Sequence, residues 1–347
     1  MRILFVGLGG AGQRHLRNVR LLLGQEARIG AWRQRRRPFV ITETLTLDAS
    51  RRVEDTYDVK LYDDLEAALA DRPEAAVIAT PSSLHLRPAL TLAEAGCDLL
   101  IEKPLSHNLD GVERLVELAD RNGIVGLVAY QMRFHPCARL VTQLVRDGAI
   151  GRVMMVRLVV GSDLRDWHTY EDYRELYAAR ADQGGGVILT EIHELDFLYQ
   201  LFGLPTRVFA LGGHLSDLEL QGVEDTVSML FEHHVDGHLV PAHVQLSFAR
   251  RPAARGGEIE GSLGTIEWDY RAKHVRIFSV ATGSWDVRSF EKFEPSQMFL
   301  ELMRHFLACR RRTETPVVGL RDGLHSLRMA VAARRSLETG EPVAVTA

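Results

Sequence analysis

The chain has little cysteine, no long apolar run and no excess of charge of either sign. Its three cysteines (Cys97, Cys137, Cys309) lie far apart in 347 residues. They make neither a disulfide framework nor a zinc knuckle, and they suit a reducing compartment. No apolar stretch approaches the ~18–20 residues that span a bilayer. The N-terminal Arg-Ile-Leu-Phe-Val stretch is too short for a secretory signal and stops at glycines. Lys+Arg is 42 and Asp+Glu is 46, a net charge of −4, which gives no support to a nucleic-acid-binding surface. Internal repeats and low-complexity tracts are absent. At 46 % hydrophobic and 25 % charged, the composition argues against disorder. A soluble cytoplasmic protein is expected, of about two domains at ~150 residues each.

The first ~128 residues alternate short apolar runs with amphipathic stretches. Residues 2–6, 28–32, 75–79, 98–101 and 124–129 read as strands. Helical spacing marks 11–23, 64–71, 86–95 and 109–122. Such alternation predicts βαβ units and a parallel sheet covered on both faces. After about residue 130 the pattern changes. A helix over 136–147 is followed by strand-like stretches at 152–161, 206–213, 225–234, 238–248, 255–261, 264–270 and 273–279. Short turns such as Asp236-Gly237 suggest an antiparallel meander. Helices are expected over 190–202, 296–311 and 320–338. The predicted fold class is α/β. Residues 1–130 form a Rossmann domain with a doubly wound parallel sheet. Residues 131–347 form an α+β domain with a large, open, mostly antiparallel sheet.

Residues 7–12 read Gly-Leu-Gly-Gly-Ala-Gly, between a strand and an amphipathic helix. Gly7, Gly9 and Gly12 fit G-x-G-x-x-G in the context that motif requires. Gly7 permits a tight turn, Gly9 a close approach to a pyrophosphate, and Gly12 close helix–strand packing. Gly10 and Ala11 would offer N–H groups to phosphates at the helix start. An NAD site would place Asp or Glu about 20 residues on, to hold the ribose 2′-hydroxyl. No acidic residue occurs between Ala27 and Thr42. Trp32 is followed by Arg33, Arg35, Arg36 and Arg37. Guanidinium groups suit a 2′-phosphate, and Trp32 or Arg33 could stack on adenine. NADP(H) is therefore expected over NAD(H), with Arg33 and Arg37 as contacts.

Thr80-Pro81-Ser82-Ser83-Leu84-His85 follows one strand and Glu102-Lys103-Pro104 follows another. Both lie at carboxyl ends of parallel strands, where open α/β sheets bind ligands. Desolvation and nearby charge could bring the Lys103 pKa toward neutral for acid–base work. Gly184–Gly186 allow close approach of a ligand or another chain segment. The helical stretch after them carries Thr190, His193 and Asp196 on one face. His193 could share proton transfer with a nearby lysine.

In order and spacing, five features resemble the Gfo/Idh/MocA family of glucose–fructose oxidoreductase, inositol dehydrogenase and rhizopine catabolism. They are Gly7–Gly12 with His15; Thr80-Pro81 with His85; Glu102-Lys103-Pro104; Arg133-Phe134-His135-Pro136; and Gly184–Gly186 with His193. The resemblance covers nearly the whole chain. It implies a dinucleotide-binding Rossmann domain and a second domain whose open sheet often joins subunits, here into a homodimer or homotetramer. It implies hydride transfer between a nicotinamide and a sugar, inositol or related carbonyl, alcohol or imine. Lys103 matches the family's catalytic lysine and His193 its second-motif histidine. Thr80, Pro81, His85, Glu102, Lys103 and Arg133 would lie along the cofactor. Two departures stand out. Thr190 occupies a position where many members have Asp, with Glu191 beside it and Asp196 further along, and Ser82 replaces a common Asn.

Arg165, Trp167 and Tyr173 are candidate substrate residues, since aromatics and arginines suit sugar rings and anionic substituents. Tyr130, Thr190, His193 and Lys103 complete that set. His233, His234, His238 and His243 straddle a hairpin turn, and no metal is expected there. The expected function is an oxidoreductase with Lys103 as acid/base. The alternative is a dinucleotide-dependent sensor of the same fold without turnover.

Overall fold

The computed structural model describes residues 1–33, 39–43, 46–168 and 170–346. Two large sheets organise them. The N-terminal half contributes β1 (Arg2–Val6), β2 (Arg28–Trp32), β3 (Phe39–Ile41), β4 (Leu47–Arg52), β5 (Val59–Tyr62), β6 (Ala75–Ile78), β7 (Asp98–Ile101) and β8 (Gly126–Val128). Six of these form a parallel sheet in the order β5-β2-β1-β6-β7-β8. All four residues of β6 are buried, as strands covered on both faces should be. The chain leaves β1 toward one edge of the sheet and later returns to β1's other side as β6. That reversal opens a crevice beyond the carboxyl ends of the strands. The residues just past β1, β6 and β7 are Gly7, Thr80 and Lys103. Their convergence follows from the topology.

The C-terminal half contributes β9 (Val153–Gly161), β10 (Arg207–Gly213), β11 (Thr226–Val235), β12 (His238–Ser247), β13 (Ala254–Gly261), β14 (Gly264–Asp269), β15 (His274–Ser279), β16 (Ser284–Ser289) and β17 (Val343–Ala344). They form a nine-stranded sheet in the order β16-β15-β14-β13-β9-β12-β11-β10-β17. Its pairings are antiparallel except β9 with β12. One face packs on the helices Val187–Thr190, His193–Phe202 and Leu320–Thr339. The last is tied to the sheet where the Ala210 N–H donates to Ser336 Oγ at 2.9 Å. The helix Ser296–Arg310 returns to the N-terminal half. Its Leu302, Met303 and Phe306 share a core with Leu16 and Val19 of the helix Gly10–Leu23.

The structure departs from the expected elements in several places. The helix expected over 190–202 is two pieces, because Glu191 takes φ −97°, ψ +32° between Thr190 and Ile192. The strand β16 is exposed along its whole length and is not among the expected elements, although Trp285 and Val287 alternate with polar residues in it. The short β5, Val-Lys-Leu-Tyr, has only two buried or half-buried residues, at its ends. The β3–β4 hairpin lies in a stretch without apolar alternation. Among the described residues no helix is long and apolar enough to cross a membrane.

Candidate active site

The glycine loop turns at Gly7, whose φ of +94° suits glycine. A Cβ there would meet the Ala79 carbonyl oxygen at 2.6 Å, and one on Gly12 would meet the Gly7 oxygen at 2.3 Å. Gly9 differs, since a Cβ on it would meet nothing within 4 Å. Its backbone faces open space at the start of the helix Gly10–Leu23. That helix start has no side-chain cap and no acidic residue in its first turn. Free N–H groups and a partial positive charge thus face a cradle that fits a dinucleotide diphosphate.

At the end of β2 the acidic residue missing from the local sequence arrives from elsewhere. Glu54, on the helix Val53–Tyr57, pairs with Arg33 at 3.2 Å, and both side chains are largely buried. The Arg33 charge is therefore already partnered by a carboxylate. Arg37 lies outside the described residues. Trp32 is half-buried and continues the β1–β2 pairing opposite Val6.

His85 is buried, and its ring braces two loops. Nδ1 lies 2.8 Å from the Pro104 oxygen and Nε2 lies 2.8 Å from the Thr80 oxygen. Both ring nitrogens face the backbone, so His85 positions Thr80-Pro81 against Lys103-Pro104 and turns neither nitrogen to a cofactor. His15 Nε2 lies 2.8 Å from Glu102 Oε1. Burial raises the Glu102 pKa, but His15, Lys103 and His85 outweigh it and hold the carboxyl below the usual range. Its Oε2 accepts from the Lys103 backbone N–H at 3.2 Å.

Lys103 Nζ donates to the Thr190 carbonyl oxygen at 2.5 Å, which joins β7 to the glycine-led helix of the second half. Burial alone would lower the Lys103 pKa. Tyr177, Glu191 and Glu102 outweigh it, and the net shift is upward. This corrects the expectation of a lysine tuned toward neutrality, because the surrounding negative potential keeps an ammonium here. His193 is buried, with Nε2 3.1 Å from Gln131 Nε2 and the Tyr130 ring edge-on at 5.7 Å. Burial, then Lys103 and Arg255, drive its pKa well below the ordinary histidine value, so it stays neutral. With Gln131 donating to Nε2, the ring proton falls on Nδ1, which has no partner. Thr80 Oγ1, Ser82 Oγ, Gln131 Oε1 and Thr190 Oγ1 are likewise buried without hydrogen bonds. Buried polar atoms are normally paired, so a polar ligand bound here would find partners in these.

Several other candidate residues are engaged by partners within the protein. Arg133 grips Asp196 bidentately at 2.8 and 2.7 Å and donates to the Val317 oxygen at 2.7 Å. Ser326 Oγ also donates to Asp196. Arg133 and Asp196 thus spend their charges on each other in a buried pair, and neither is free for cofactor or substrate. Arg165 is held by Asp163 at 2.9 Å and by Asp217. Trp167 Nε1 donates to Ser162 Oγ at 2.7 Å and its ring packs edge-on to Phe248. The Tyr173 hydroxyl accepts from the Glu219 N–H at 3.0 Å. These three side chains hold their own segment together. The glycine run makes room for protein, since a Cβ on Gly186 would meet Glu224 Oε1 at 2.4 Å and one on Gly184 would meet His107 Cβ at 2.6 Å.

Sequence reasoning missed Arg255. From β13 its guanidinium chelates Glu194 at 2.8 and 2.9 Å and reaches Glu191 at 3.4 Å. Burial pushes the Glu194 pKa up while Arg255 pulls it down, and burial prevails. Nothing in the Gly-rich local sequence around Arg255 marks it, because its partners lie some sixty residues away. The histidines of the β11–β12 hairpin do not converge: His233 is buried inside the sheet while His243 bonds Ser228 at 2.7 Å. Among the described residues no group of three potential ligands could hold a metal ion.

Comparison with known proteins now decides the family. A model of the Gfo/Idh/MocA oxidoreductase family, with an NAD-binding Rossmann fold, matches residues 1–130, and a model of its C-terminal domain matches residues 138–267. The chain belongs to this family. It is 28 % identical over 301 residues to D-apiose dehydrogenase of Paraburkholderia graminis, covering 82 % of this chain and 76 % of that one. It is 27 % identical over 194 residues to 2,7-anhydro-N-acetylneuraminate hydratase of Mediterraneibacter gnavus, covering 55 % of this chain and only 50 % of that protein's length. The fold matches the WlbA dehydrogenase of Bordetella pertussis, solved with NADH and UDP-GlcNAcA, with a TM-score of 0.78 and 23 % identity over 100 % of this chain and 99 % of that one. As a family member the chain is an oxidoreductase with a nicotinamide-dinucleotide fold.

Proposed function

We propose that the protein transfers a hydride between a nicotinamide dinucleotide and a carbinol or carbonyl carbon of a sugar, inositol or related metabolite. Residues 1–130 hold the dinucleotide, and residues 131–347 supply the substrate pocket and the face that joins copies into a dimer or tetramer. The observation that carries this reading is the set of unpaired buried polar atoms around Lys103 and His193, at the carboxyl ends of β6 and β7. A hydroxylated ring offers the donors and acceptors that such a set lacks. The names of two relatives agree, one a D-apiose dehydrogenase and the other a scyllo-inositol 2-dehydrogenase, whereas a third is a hydratase of an anhydro-sugar. Three buried, unbridged cysteines fit the cytoplasm.

The bound nicotinamide supplies the hydride chemistry. Lys103 handles the substrate oxygen. As an ammonium, it donates a proton to a carbonyl oxygen during reduction, and in oxidation the neutral amine takes the hydroxyl proton and becomes the ammonium again. Its raised pKa favours the donor role. His193, neutral with a free Nδ1–H, orients a second substrate oxygen. Thr190 presents its carbonyl to Lys103 and leaves its hydroxyl for substrate. Glu191, a charge partner of Arg255, also keeps negative potential beside the lysine.

NADP(H) is the preferred cofactor in this reading, with Arg33 facing the ribose 2′ position. Glu54 tempers that preference, because a 2′-phosphate must compete with it for Arg33. Arg33→Ala should lower the NADPH/NADH affinity ratio severalfold, whereas Glu54→Gln should raise it. An unchanged ratio in both variants would remove the basis for NADP(H). The functional test is reduced-nicotinamide absorbance with sugars, inositols, keto-sugars and cyclic imines. Tight cofactor binding without turnover across that panel would favour a sensor.

A further inference from the structure

The segment 162–176 belongs to the C-terminal half, yet its apex reaches the dinucleotide loop of the N-terminal half. Its charges and most of its aromatics serve as anchors. Asp163 holds Arg165 and accepts Arg251 at 3.1 Å. Trp167 is pinned between Ser162 and Phe248. Tyr173 is fixed by the Glu219 N–H. What these anchors carry is Tyr170, whose ring stacks on His168 at 5.3 Å with only 13° between the planes. The Tyr170 hydroxyl oxygen lies 2.9 Å from where a Cβ of Gly10 would stand. Gly10 is the first residue of the uncapped helix, and Gly9 beside it faces the open cradle. One turn further along, the Arg14 guanidinium lies over the Phe299 ring at 4.1 Å and interacts electrostatically with Tyr170. The same place therefore combines free helix N–H groups, a cation one turn away and a phenol held by a braced segment.

We infer that Tyr170 is a cofactor-contacting residue, whose hydroxyl donates a hydrogen bond to a diphosphate oxygen of the bound dinucleotide. It closes from the C-terminal half the cradle that the glycine loop opens from the N-terminal half. Gly10 is glycine because a side chain there would displace the phenol. This inference rests on the dinucleotide reading of the glycine loop.

The test is equilibrium binding without substrate. Titrations with NADPH, NADH and ADP-ribose, followed by tryptophan fluorescence, compare wild type with Tyr170→Phe and Gly10→Ala. A hydrogen bond to a charged group sets the scale, so Tyr170→Phe should weaken all three ligands by roughly tenfold. The melting temperature of each unliganded variant is measured alongside, so that loss of fold is separated from loss of binding. Gly10→Ala should weaken binding in wild type and cost clearly less in the Tyr170→Phe background, because the phenol it displaces is already disarmed. Unchanged or tighter binding by Tyr170→Phe, with wild-type binding intact, would overturn the inference and leave the dinucleotide reading standing. If wild type bound none of the three ligands, the dinucleotide reading itself would fall, and the inference with it.

Discussion

The neighbourhood of Lys103 and the segment 162–176 look alike in sequence, since both are rich in groups that bind sugars and anions. They differ in how those groups are spent. In the segment, Arg165, Arg174, Trp167 and Tyr173 each have a partner within the protein. Around Lys103, Thr80, Ser82, Gln131, Thr190 and His193 each keep a buried polar atom without one. A folded chain tolerates an unpaired buried donor or acceptor at a cost of about 1–3 kcal/mol each. Such a cost persists where a ligand offsets it. Residue type therefore suggests where a site could be, and unmet hydrogen-bonding capacity narrows the choice where it falls at the carboxyl ends of parallel strands.

The comparison breaks or sharpens under substitution. Lys103→Met should produce the largest effect, a loss of about 10²–10⁴ in turnover with cofactor affinity retained. Arg133→Met should act on stability. It strands Asp196 as a buried charge, and losses of about 3–5 kcal/mol are typical when one partner of such a pair is removed, measurable by urea unfolding. His193→Asn should lower turnover by roughly 10-fold or more and raise KM, since it removes one positioning hydrogen bond to substrate. Arg165→Ala should be the mildest. Its guanidinium is partly exposed and already paired, so KM should change by less than about threefold. A large KM effect from Arg165→Ala would erase the distinction between the two regions.

The pH dependence of stability follows from other buried histidines. Burial lowers the pKa of His135 to about 4, with Arg255 and Lys273 assisting. Burial likewise takes His233 to about 4, assisted by His234. Each folded pKa lies below the ordinary value near 6.5. Between those values the unfolded chain binds protons that the native state refuses, so stability falls as pH drops. The slope is about 1.4 kcal/mol per pH unit for each histidine across that window. Urea midpoints at pH 7 and pH 5 should differ accordingly, and equal midpoints would mean that these rings are protonated in the native protein.

The sequence exposed those parts of the molecule that are local. The glycine loop could be read because the turn, the approach and the packing fall within six residues. Lys103 could be read because the end of a parallel strand is recognisable from the apolar run before it. Glu54 and Arg255 could not, since each meets its partner through the fold and leaves no spacing behind. The Lys103 charge state differs from the sequence expectation for a related reason. Its desolvation was foreseeable, but the opposing carboxylates at 102 and 191 and the phenol at 177 converge only in three dimensions.

The most direct test of the central claim follows reduced-nicotinamide absorbance for wild type and Lys103→Met on one responsive sugar or inositol. The account predicts that Lys103→Met binds the dinucleotide as wild type does, while turnover falls by at least about 100-fold. Full turnover by Lys103→Met would contradict it, and the unpaired cluster around that lysine would not be the reaction centre.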